Sequence, residues 1–97
     1  MESLVSVRLT GELDLSNVSS LRAKLGAVDG PAVVDLSEVT YLDSTALNEL
    51  ANLRRRVGAV TLVVASPNVR RTLEIVGFSR SFRIIGRREE LDVSTSE

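Results

Sequence analysis

Asp43-Ser44-Thr45 is the segment of this chain best suited to chemistry, because it pairs a hydroxyl with an acid where a helix begins. The first N–H groups of a helix have no partners inside it and point outward, and the helix dipole is positive there. A phosphate placed on Ser44 meets those donors, so the fold tolerates it. The same phosphate adds a charge of about −1.5 to −2 at one surface spot. A partner packed over that spot has to accept unpaired charge. The chemistry such a modification would perform is a charge switch on any binding surface there. Ser44 also has an ordinary reading, as a helix-capping residue.

Other acids come under the same scrutiny. Asp14 is either part of this site or a turn residue ahead of the first helix. Asp35 closes an apolar run and either orders the Ser44 loop or hydrogen-bonds locally. Asp14, Asp35, Glu38 and Asp43 together have the spacing of no standard metal site, so no metal is expected. The 97 residues include no Cys and no His. Thiolate metal sites, a Cys nucleophile and the commonest general base near neutral pH are therefore excluded. No phosphate-binding glycine loop is present; Gly26, Gly30 and Gly58 fall at helix ends. No cofactor is expected, and an enzyme is not the expected reading.

Charge and composition narrow the partners. The formal net charge is −1 and aromatic residues make up 3% of the chain, which argues against nucleic acid as a direct partner. Eleven of the twelve basic residues are arginine, a bias that suits a GC-rich bacterial genome. Arg54-Arg55-Arg56 spans most of a helix circumference and reads as a solvated face. Arg54, Arg55 or Arg70 could supply rim contacts to a partner. Neither a leader nor a membrane-spanning run is expected, so the chain reads as soluble and cytoplasmic.

The elements that position Ser44 follow from periodicity. Val5, Val7 and Leu9 alternate with polar residues, which predicts a strand over 4–13. Val18, Leu21, Leu25 and Val28 recur at helical spacing, with Asn17 or its neighbour Ser16 as N-cap. Ala32–Leu36 reads as a buried strand, and 37–43 as its connection. Ala46, Leu47, Leu50, Leu53 and Val57 form the stripe of a helix over 43–57 that Gly58 ends. Residues 60–65 read as a third strand. Ser66 and Pro67 open a third helix that Gly77 stops. Residues 82–85 read as a short last strand, 86–92 as a half-formed helix and 93–97 as a polar tail. Strands alternating with helices predict one α/β domain of four mainly parallel strands and three to four helices, with its core at about 4–86.

Two segments, VRLTGELDLSNVSSLRAKL at 7–25 and VVDLSEVTYLDSTALNEL at 33–50, together resemble the STAS domains. That family takes its name from sulphate transporters and anti-sigma factor antagonists. The resemblance covers about residues 4–86. It implies a binding module that sequesters an anti-sigma factor with serine kinase activity. The kinase phosphorylates Ser44 and binding is lost; a serine phosphatase restores it. The implied contact residues are Asp14, Asp43, Ser44, Thr45, Ala46 and Asn48. An alternative within the same resemblance is a subunit docked on the ATPase of a lipid-trafficking transporter. Two positions depart from the family pattern. Ala46 stands where glycine is usual, adding bulk where a partner backbone approaches, and Asn48 stands where a small residue is common. The family's usual first strand also has no counterpart here, which leaves an open sheet edge and an expected homodimer.

Overall fold

The computed structural model describes residues 4–87. Four strands run through it: β1 (Val5–Leu13), β2 (Ala32–Leu42), β3 (Val60–Val63) and β4 (Arg83–Ile85). They form one sheet in the order β1-β2-β3-β4, and each pairs in parallel with the next. Between them lie α1 (Val18–Gly26), α2 (Ser44–Val57) and α3 (Pro67–Ile75), with short 3-10 turns at Leu15–Asn17 and Phe78–Arg80. The expected α/β architecture of four parallel strands and three helices is what the chain adopts.

Every crossover moves one strand along in the same direction. Right-handed crossovers then place all three helices on one face of the sheet. The burial pattern agrees. Ala32, Val34 and Leu36 of β2, with Val60 and Leu62 of β3, share one cluster with Leu21 and Leu25 of α1, Leu50 and Leu53 of α2, and Val69 and Leu73 of α3. The alternate residues Val33, Val63 and Ile85 are buried in a separate cluster on the other face. Burial on both faces is why the central strands read as continuous apolar runs.

Two boundaries differ from the sequence reading. The connection expected at 37–43 is largely strand, because β2 runs on to Leu42 beside β1. The pairing slips between Arg8 and Thr10 and again between Gly11 and Glu12, each time with an extra residue in β2. Those bulges break the simple alternation and disguise the strand. A 3-10 turn at Leu15–Asn17, capped by Asp14, precedes the first helix, which starts at Val18 with Asn17 in the expected N-cap position. Asp14 accepts from the Ser16 N–H, and Asn17 Oδ1 accepts in return from the Asp14 N–H. The Asn17 side chain makes no cap bond to α1 itself. The expected strand over 60–65 ends at Val63.

β1 is the outer strand on one side of the sheet among the described residues. Gly11, at φ 77°, bends it in a region of backbone space that favours glycine. Most of the helix expected at 86–92, and all of the 93–97 tail, lie outside the described residues.

Candidate functional site

Parallel strands deliver every strand-to-helix loop to the carboxyl end of the sheet. The β1–α1 loop and the β2–α2 loop meet there, and Asp43 joins them. Its N–H donates to the Leu13 carbonyl at 3.1 Å. Its Oδ1 accepts from the Ala46 N–H at 3.0 Å, capping α2, and its Oδ2 accepts from the Leu15 N–H at 3.1 Å. One carboxylate thus fixes both the start of α2 and the turn that follows Asp14. The third helix start is close by, since the Asn68 amide of α3 donates to the Thr40 carbonyl near the end of β2.

Ser44 is the first residue of α2 and is exposed; Thr45 is half-buried and Asn48 is exposed. The Ala46 N–H is held by the Asp43 side chain and the Leu47 N–H by the Asp43 carbonyl. The outward donors at this helix start are then those of Ser44 and Thr45 themselves. Asp14 and Asp43 flank Ser44 in adjoining loops, which makes the spot acidic.

Ala46 is a correction. The sequence reading put its methyl where a partner approaches, but Ala46 is only 1% exposed and belongs to the main core cluster. At the third position of α2 its side chain points inward, under the helix start.

Of the two readings of Asp35, the structure agrees with local hydrogen bonding and not with ordering of the Ser44 loop. β2 continues seven residues past it, so Asp35 lies within the sheet rather than at the Ser44 loop. It is buried, accepts from the Ser37 N–H at 2.9 Å and lies 3.8 Å from Arg8. Arg8 also reaches Glu38 at 3.9 Å. The four acids therefore separate into two places, and no cluster able to hold a metal occurs among the described residues.

Sequence reasoning missed three features. Leu15 is 70% exposed and Tyr41 46% exposed, one in each of the segments leading to the site. Leu15 falls outside the helical stripe that begins at Val18, and that mismatch was its signal. Glu49, five residues after Ser44, is buried and bonded by Arg22 of α1 through Nε at 3.1 Å and a second nitrogen at 2.9 Å. This hydrogen bond, reinforced by the charge on Glu49, raises the Arg22 pKa above its ordinary value.

Comparison with known proteins identifies the family and the fold. The family described as "Mlab, STAS domain" matches residues 2–86. The STAS-domain containing protein PA14_20770 of Pseudomonas aeruginosa is 45% identical over 56 residues, 54% of this chain and 55% of that protein. The anti-sigma-F factor antagonist RsfB of Mycobacterium tuberculosis is 36% identical over 81 residues, 76% of this chain and 66% of that protein. The chain thus spans just over half to about two thirds of these curated relatives. Among solved structures, the anti-sigma factor antagonist SpoIIAA in its unphosphorylated form superposes with a TM-score of 0.67 at 23% identity, covering 99% of this chain and 93% of that one. The phosphorylated form of the Bacillus cell fate determinant SpoIIAA gives 0.64 at 24% identity, covering 97% and 95%. These structural likenesses establish the fold. With a family match that spans nearly the whole chain, and both signature segments meeting at one end of the sheet, this chain belongs to the STAS domain family.

Proposed function

We propose that this chain is a regulatory binding module of the anti-sigma factor antagonist type, switched off by phosphorylation of Ser44. The observation that carries the reading is the placement of Ser44. It is exposed at the first position of α2, beside the carboxylate that ties the two loops together. The partner is an anti-sigma factor with serine kinase activity, and a serine phosphatase reverses the modification. The names of the relatives, RsfB and the two forms of SpoIIAA, support it.

The partner docks over Asp14, Asp43, Ser44, Thr45 and Asn48, with Leu15 and Tyr41 as its apolar contacts. An exposed tyrosine is the kind of anchor that dominates interface energies, and Leu15 adds apolar contact area beside it. Phosphorylated Ser44 would then put a dianion under that contact. Leaving such a charge unpaired at an interface costs several kcal/mol, and ~1.4 kcal/mol is tenfold in affinity. A hundredfold loss of binding, or more, is expected, roughly.

The test is to purify the protein from its own cells with whatever binds it and to map phosphate by mass spectrometry. A kinase that co-purifies with the parent and is lost on Ser44→Asp supports the proposal. If Ser44→Ala and Ser44→Asp both leave every partner bound, the switch is wrong. The description of the matching family, Mlab, together with the resemblance to transporter-docked subunits, supports a second reading. In that case an ATP-binding transporter subunit is retained whatever stands at position 44.

A further inference from the structure

Charge is divided unevenly among the described residues. Residues 4–53 carry seven acids and three bases, whereas 54–87 carry eight arginines and a single acid, Glu74. The fold sends most of these arginines to one end, although Arg70 near the start of α3 and Arg87 after β4 lie toward the other. Its helices run opposite to its strands, so helix starts gather at the carboxyl end of the sheet and helix ends at the other. The carboxyl end holds Glu12, Asp14 and Asp43. The far end holds Lys24 in the last turn of α1, Arg54, Arg55 and Arg56 in the last turn of α2, and Arg80 in the turn after α3.

Two hydrogen-bonding groups show that these cations lie together. Arg56 donates to the Leu25 and Val28 carbonyls, which puts the end of α2 against the end of α1. Arg54 Nε donates to the Ser81 carbonyl at 2.6 Å, which puts it beside Arg80. Lys24, Arg55 and Arg80 are exposed around these joints. The acids at this end are Asp29 and Glu74, both exposed.

Two apolar side chains stand among the cations. Ile75 is 73% exposed, more than any other large hydrophobic residue described, and Val76 beside it is 46% exposed. Arg71, one helical turn before Ile75, is exposed as well.

We infer that this end is a peripheral docking surface for an anionic lipid bilayer. Protruding apolar side chains with cations nearby are the arrangement that rests in a membrane interface. The cations come from three separate elements spread over one end of the molecule. A flat anionic surface meets all of them at once, which a single acidic peptide does not. No helix among the described residues is long and apolar enough to cross a membrane, so the contact is peripheral. Ser44 lies at the opposite end, and a docked molecule presents it away from the lipid. The inference stands independently of what binds at Ser44.

The full chain is mixed with vesicles of phosphatidylcholine alone, or with added phosphatidylglycerol, and pelleted. Binding to the mixed vesicles only, lost at high salt, is the expected result. Each removed cation is expected to weaken it about fivefold, so Arg55→Glu with Arg80→Glu abolishes it. Ile75→Asp with Val76→Asp abolishes it too. Both pairs are exposed, and unchanged melting shows that they stay folded. Ser44→Asp leaves vesicle binding unaltered. Failure of the parent chain to pellet overturns the inference, as does equal binding to neutral vesicles or retained binding by either double variant. Capture of an acidic protein by these arginines without vesicle binding overturns it as well.

Discussion

Asp43 carries more of the local architecture than any other polar residue near Ser44. Its carboxylate satisfies a donor in its own helix and another 28 residues away, so the two signature loops share one anchor. Asp43→Ala removes both bonds and is expected to cost about 2 kcal/mol, read as a lower urea midpoint. Asp14→Ala, which removes only a local cap, is expected to cost about 1 kcal/mol. Ala46 is informative for the opposite reason. Its methyl is inside the core, so Ala46→Gly should lower stability by about 1 kcal/mol through backbone freedom. Partner affinity should stay within about twofold, because the methyl is not at the docking surface. Titration calorimetry with the co-purified partner, beside the denaturation curve, separates the two effects.

Among the elements, α1 and α2 are held by more than apolar contact. The buried Glu49 is matched by Arg22 midway along α1, and Arg56 closes the far end by donating to the Leu25 and Val28 carbonyls. Three adjacent arginines therefore do different things. Arg56 caps α1, Arg54 holds the turn after α3, and Arg55 reaches only Asn52 of its own helix. Arg56→Ala is expected to lose about 1–2 kcal/mol and Arg55→Ala less than about 0.5 kcal/mol. Amide exchange should quicken at Val28 in the first variant and not in the second. The reading of all three as a solvated face agrees with the exposure of Arg55 and Arg56, but Arg54 is half-buried, and Arg54 and Arg56 also hold backbone carbonyls. Which residues of a neighbouring helix lie within reach cannot be extracted from the spacing of one helix.

At the scale of the molecule, one main core is shared by the sheet and all three helices, and Leu50 of α2 is fully buried within it. Leu50→Ala is expected to cost about 3 kcal/mol through lost burial and the cavity left behind. A domain this size has a total stability of about 5–15 kcal/mol, so the variant still folds. Its melting midpoint should drop by roughly 12–24 °C, seen by circular dichroism. The same arrangement sets the molecule's polarity. Helix starts and acids gather at the Ser44 end, while arginines offset the negative helix ends at the other.

Element types and their order were legible in the sequence because they depend on local periodicity and punctuation. Alternation gave β1, the Ala46–Val57 stripe gave α2, and Ser66-Pro67 and Gly58 marked helix ends. The position of Ser44 at a helix start came from the same local signals. What the sequence hid depends on contacts between distant segments. The second half of β2 is a strand because β1 lies beside it, and its bulges erase the alternation that would have announced it. Ala46 sits on the inner face at a place where the start of α2 looks open to solvent. Asp35 and Asp43, eight residues apart, end up in unrelated surroundings because the strand between them continues. Only the tertiary structure brings Leu15 under the Asp43 carboxylate, since a hydrogen bond across 28 residues leaves no trace in the neighbourhood of either partner.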